Sequence, residues 1–154
     1  MMNWYYREFH ELSGREVYEM LKLRVNVFIV EQNCAYPEID GYDYESIHVF
    51  CQDEEGIAAY ARLLPAGVKY ADPSIGRVII RRDLRGTGLA HKLMERNVQY
   101  IIKQWQAERM YLQAQHHLAG FYEKHGFHAV SDPYEEDGIP HVDMLSFIEQ
   151  NESF

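Results

Sequence analysis

Cysteine is nearly absent from this sequence: Cys34 and Cys51 are the two among 154 residues. They have no CxxC spacing, so neither a disulfide framework nor a cysteine-built metal site is expected. No stretch nears the ~20 consecutive apolar residues of a membrane span. The opening MMNWYYREFHEL lacks a basic region followed by an apolar run, which argues against a signal peptide. Excess positive charge is missing as well. The net charge of −9 has the wrong sign for a partner that must be met phosphate by phosphate, so no nucleic acid is expected. No repeat or linker interrupts the chain, and residues 1–154 read as a single domain in a reducing cytoplasm.

What is present is globular. Apolar residues make up 47% and charged residues 25%, enough to bury a core at this length. Asn3–Phe9 reads as a first strand. Ser13 with Glu16 three residues on has the form of a capping box. Val17, Met20, Leu21, Val27 and Phe28 follow at helical spacing, predicting one amphipathic helix over about 14–31. Asn33–Glu45, with Pro37 and Gly41, reads as a loop. Ser46–Gln52 and Ile57–Leu64 flank the acidic turn Asp53–Gly56 as a hairpin. Ser74–Arg81 predicts a buried strand, Gly88–Gln104 a helix on the sheet and Arg109–Gln113 a short strand. His117–His125 reads as a short helix ended by Gly126. Phe127–Val130 and Val142–Phe147 are the last strands, joined by a long acidic loop holding Pro133 and Pro140. The order implies a mixed α/β (α+β) domain.

One segment carries chemistry. The Val78-Ile79-Ile80 run leads into Arg85-Gly86-Thr87-Gly88-Leu89-Ala90, where a helix opens. Such a junction offers unpaired amides and the positive end of a helix dipole, a ready phosphate site. Residues 75–96 hold six Lys or Arg and two acids, a local charge of +4 that leaves −13 for the rest. The GxxxxGK[ST] and GxGxxG patterns both fail at His91.

What fits is Arg-x-x-Gly-x-Ala, which resembles the pyrophosphate loop of the GNAT superfamily of N-acetyltransferases. Leu118–Phe127 is similar to that family's later signature, Tyr-x-x-x-Gly-Phe. Leu23–Gln32 and Tyr134–His141 resemble the ElaA subfamily. The first of these is also similar to the start of acyl-homoserine-lactone synthases. The resemblance implies a twisted mixed sheet with helices on both faces, and strands ending near Arg81 and Gln113 that run parallel and splay apart around coenzyme A. It implies backbone contacts from Val78, Ile79 and Ile80 to the pantetheine arm. It further implies amides of Arg85, Gly86, Thr87, Gly88, Leu89 and Ala90 on the pyrophosphate. Gln115 stands where many members have Asn, one methylene longer.

The implied activity is transfer of an acetyl group from acetyl-CoA, as cosubstrate, to a small primary amine or a lysine. Tyr122 occupies the position of the family's general acid. Glu31, His48 and His141 are the candidate bases. The histidines form no HExxH-like set, so no metal is expected. The acidic loops Glu38–Glu45 and Glu135–Asp137 point to a cationic amine. A non-catalytic acyl-CoA-binding or sensing module, and an acyl-homoserine-lactone-synthase-like enzyme, are the alternatives. The oligomeric state stays open, a homodimer included.

Overall fold

The structure, a computed structural model, describes residues 2–148. It is built on one sheet of eight strands: β1 (Asn3–Glu8), β2 (Ile47–Asp53), β3 (Gly56–Leu64), β4 (Ser74–Ile80), β5 (Arg109–Gln115), β6 (His128–Ala129), β7 (Tyr134–Glu136) and β8 (Ile139–Phe147). The order is β1-β2-β3-β4-β5-β8-β6, with β7 also on β8. Every pairing is antiparallel except β4 with β5. Helix α2 (Leu89–Trp105) covers one face and α1 (Gly14–Val25) the other, while α3 (Ala119–Glu123) follows β5.

The central strands explain why they read as apolar runs rather than alternating ones. On β2, Val49 and Cys51 face the α2 side and Phe50 faces α1; on β3, Ala59, Ala61 and Leu63 face α2 and Tyr60 faces α1. A strand covered on both faces has no polar side. The Ser13 capping box forms as expected: Glu16 N–H donates to Ser13 Oγ at 3.1 Å, and Ser13 N–H donates to the Glu16 carboxylate at 2.8 Å.

Three expectations are corrected. The helix predicted over 14–31 is α-helical to Val25 and then widens into a π turn, Asn26–Glu31. Gln32 N–H donates to the Val27 carbonyl and Cys34 N–H to the Ile29 carbonyl, both five residues back. Apolar spacing cannot register one extra residue per turn, and such turns cluster at functional sites. The 117–125 helix is a 3-10 turn, His116–Leu118, followed by the five residues of α3. The long loop before Val142 holds a hairpin, β7–β8, paired Tyr134↔His141 to Glu136↔Ile139.

Candidate active site

β4 and β5 meet at one register pair, Ser74↔Tyr111, where Tyr111 N–H also donates to the Pro73 carbonyl at 2.9 Å. Beyond it they separate. On the other side of β4, Arg62↔Gly76 and Tyr60↔Ile79 enclose two residue steps on β3 and three on β4. That is a bulge: one extra residue lies out of register, the strand bends, and its backbone groups are freed. Arg77, at the bulge, has φ 53. The splay and the bend together open a cavity of about 750 Å³. Val78 and Ile80 form one wall, Leu112 and Gln115 the opposite one, and Tyr122 and Phe28 close it from the helices.

At one end the cavity meets the start of α2, with Arg85 and Ala90 in its wall. Gly86 (φ 80) and Gly88 (φ 87) turn the chain here in the left-handed region that glycine enters without strain. Thr87 Oγ1 donates to the Leu84 carbonyl at 2.5 Å and braces the turn. Among the described residues the amides of Gly86, Thr87, Gly88, Leu89 and Ala90 find no acceptor, as the first turn of a helix requires. The basic island is smaller than the local charge implies. Arg81 is clamped by Asp53 and Asp83, Arg77 by Glu38, and Arg85 by Glu31. Arg96 lies over the Trp4 ring. Arg82 and Lys92 have no ion-pair partner among the described residues, and the start of α2 adds its unpaired amides and the positive end of its dipole.

Tyr122 is 7% exposed and lines the cavity. Its hydroxyl has no hydrogen-bond partner among the described residues, and burial pushes its pKa up to about 12. A proton moved from such a phenol to a thiolate of pKa ~8.5 climbs roughly 5 kcal/mol, so the group suits hydrogen-bond donation to sulfur better than early proton transfer. His141, on β8, also lines the cavity. Its Nδ1 is 2.7 Å from the Ile139 carbonyl, which only accepts. In the neutral ring the proton is therefore on Nδ1, which leaves Nε2 as the lone-pair acceptor.

The other two candidate bases lie differently. His48 does not line the cavity. It is fully buried in β2, where Nε2–H donates to the Asp43 carbonyl at 3.0 Å and Nδ1 accepts from the Tyr60 hydroxyl at 2.7 Å. Burial lowers its pKa and both nitrogens are occupied, which leaves it no proton to take. Glu31, delivered by the π turn, lines the cavity but is held by Arg85 through two bonds of 2.7 and 3.1 Å. That hydrogen bonding keeps its carboxyl below the usual range and makes it a weaker base. Gln115 Nε2 donates to Gln32 Oε1 at 3.2 Å, so the longer side chain ties β5 to the segment after the π turn.

Sequence reasoning missed the far end of the cavity. There Tyr70 OH donates to Gln113 Oε1 (3.0 Å), Gln113 Nε2 donates to Tyr134 OH (2.8 Å), and Tyr134 and Tyr111 both donate to Asp143. Of the two acidic loops, Glu135–Asp137 does bring Glu136 and Asp137 to the cavity wall, but the expectation for Glu38–Glu45 is corrected. Glu38, Asp40 and Asp43 turn inward onto Arg24, Arg62 and Arg77 and do not offer free negative charge. Arg24, inside an apolar helical stripe, was the available signal, because a buried guanidinium requires partners.

The site is thus a cleft between splayed parallel strands, with a helix N-terminus at one mouth and a buried tyrosine inside. Comparison with known proteins gives the family. The family model described as acetyltransferase (GNAT) domain matches residues 15–146. The chain is 40% identical to protein ElaA of Escherichia coli over 146 residues, 94% of this chain and 95% of that one. It is 37% identical over 151 residues to a UPF0039 protein of Synechocystis, covering 97% and 98%. A Pseudomonas aeruginosa structure described as an acyl-CoA N-acyltransferase superposes with a TM-score of 0.89 at 38% identity, over 95% of this chain and 99% of that one. The chain belongs to the GNAT acetyltransferase family. Among the described residues no group of three or more His, Cys, Asp or Glu could hold a metal, and no helix is long and apolar enough to cross a membrane.

Proposed function

We propose that this protein transfers the acetyl group of acetyl-CoA directly to a primary amine. The observation that carries this reading is a single cavity lined by Arg85 and Ala90 at the start of α2, by Val78 and Ile80 of β4, by Tyr122 and by His141. Pyrophosphate oxygens suit the amides of Gly86–Ala90. The pantetheine amides suit the backbone of Val78 and Ile80, which meets no strand on the β5 side. That geometry holds the thioester against the amine, and positioning supplies much of the acceleration.

In the reaction the amine nitrogen bonds to the acetyl carbon and the carbon–sulfur bond breaks. His141 Nε2 takes a proton from nitrogen. Tyr122 donates a hydrogen bond to the departing sulfur, and the thiolate then takes up a proton. No acyl-enzyme is required: Cys51 is buried and does not line the cavity, and Cys34, which does, donates its thiol to the Asp137 carbonyl at 3.3 Å. Support for a coenzyme A donor also comes from the P. aeruginosa relative, described as an acyl-CoA N-acyltransferase. The cytoplasm, where such donors reside and free thiols persist, is the proposed location. The test is acetyl-CoA with a panel of amines, reading released thiol and N-acetylated product together. Tight coenzyme A binding without turnover on any amine would instead make the chain a binding module.

A further inference from the structure

The charged groups at the far end of the cavity are Asp40, Arg62, Arg77, Lys69, Glu136 and Asp137. Asp40, Arg62 and Arg77 are already paired, while Glu136 and Asp137 are exposed and have no ion-pair partner among the described residues. Arg62 grips Asp40 through 2.8 and 2.5 Å bonds and reaches Asp43 at 3.2 Å. Arg77 takes Glu38 at 2.7 Å and Asp40 at 3.3 Å. With Arg24 on Glu38 and Asp43, three guanidinium groups balance three carboxylates. Lys69 differs: among the described residues it has no carboxylate within 4.0 Å. Its Nζ stands 5.2 Å from the Tyr42 ring centre and 5.4 Å from that of Tyr70. Two ring faces hold the ammonium at the cavity wall, where an unanchored lysine would trail into solvent.

We infer that Lys69 anchors a carboxylate on the acceptor, so that the amine acetylated here belongs to an amino acid or a similar zwitterion and not to a polyamine. This rests on the amine-acceptor reading above. A polycation would meet the Lys69 ammonium with no buried carboxylate free to offset it. A carboxylate would pair with Lys69, which alone among the lining Lys and Arg side chains has no ion-pair partner among the described residues, and the amine at the other end of the same molecule would lie toward His141. The groups around Lys69 are consistent with this. Partial enclosure, then repulsion from Arg62 and Arg77, lowers its pKa against the weaker pull of Asp40 and Glu136. An arriving carboxylate would relieve that repulsion.

The experiment pairs amino acids with the amines lacking their carboxylate, phenylalanine with phenethylamine and leucine with isoamylamine, and measures kcat/KM by released thiol. The wild-type protein should favour the carboxylated member by roughly tenfold to a hundredfold, the worth of one charge-assisted hydrogen bond. Lys69→Met should bring that ratio toward unity through KM, and Lys69→Arg should keep part of it. Calorimetry with acetyl-CoA serves as the folding control, since Lys69 lies away from the α2 end. A ratio near one in the wild type, or one that survives in Lys69→Met, would overturn the inference and leave the transferase reading intact. So would acetylation of Lys69 itself, seen by mass spectrometry with acetyl-CoA alone, because the lysine would then be an acceptor. No turnover on either member of any pair would remove the amine-acceptor reading and this inference with it.

Discussion

At the scale of single residues, environment separates candidates that sequence leaves equal. His48 and His141 are both imidazoles on strands. One has both nitrogens occupied inside the core, while the other lines the cavity with Nε2 unbonded among the described residues. Tyr122→Phe keeps the ring that packs against Phe121 and Phe127 and loses only the unpartnered hydroxyl. Single-turnover rates should fall roughly 10²–10³-fold, the worth of one preorganised donor, with coenzyme A affinity unchanged. Because the phenol is pushed up to about 12, it stays protonated through the working range. The wild-type rate should therefore show no alkaline decline from this group below about pH 11. Glu31→Gln should act in the opposite sense on binding. It frees Arg85 from its carboxylate partner, and coenzyme A affinity by calorimetry should tighten, by up to about fivefold at low salt, the range of a surface ion pair. Weaker binding in that variant would mean that Glu31 positions Arg85 for the ligand.

At the scale of elements, the strand–turn–helix from Val78 to Ala90 was legible because its glycines and its missing amide partners are local features. Gly88→Asp tests it. A Cβ there meets no atom within 4 Å, so the cost to folding is the left-handed φ, about 1–2 kcal/mol. The carboxylate at the helix mouth should still abolish coenzyme A binding in the folded variant, and undiminished affinity would misplace the pyrophosphate. The β7–β8 hairpin was legible in principle. Asp137 (φ 51) and Gly138 (φ 78) are an Asp-Gly pair in a two-residue turn, a strong hairpin signal. Pro140 and the acidic flanks hid it, since proline argues against a strand interior. The π turn and the β4 bulge had no such marker. Each is one extra residue in a regular element, set by packing across the sheet, and Arg77 replaces the glycine that would have announced the second.

At the scale of the whole molecule, the mixed α/β class followed from the alternation of strands and helices, while the order of strands in the sheet did not. Nor did the cavity's far chamber, because it joins residues from the 33–45 loop, β3, β4 and β7 that no local pattern connects. Its buried ion network should make stability fall in acid. Burial opposes ionisation of Asp43, and hydrogen bonds and charge from Arg24 and Arg62 overcome it and hold the carboxyl low. The stability this contributes is present above the unfolded aspartate value of ~3.9 and is lost as pH falls through the lower folded value. Asp43→Asn should unfold about 3–5 kcal/mol more easily at neutral pH, because two guanidinium groups lose a buried partner, and its urea midpoint should change less between pH 5 and 3. The chemistry itself is tested most directly by following isotopically labelled acetyl-CoA in the presence of a panel of simple amines and amino acids, with wild-type protein and Gly88→Asp side by side. N-acetylated product should accumulate in step with released thiol in the wild type, and both should vanish in the variant. Label retained on acetyl-CoA, or released only as acetate with every acceptor, would contradict transfer to an amine in this cleft.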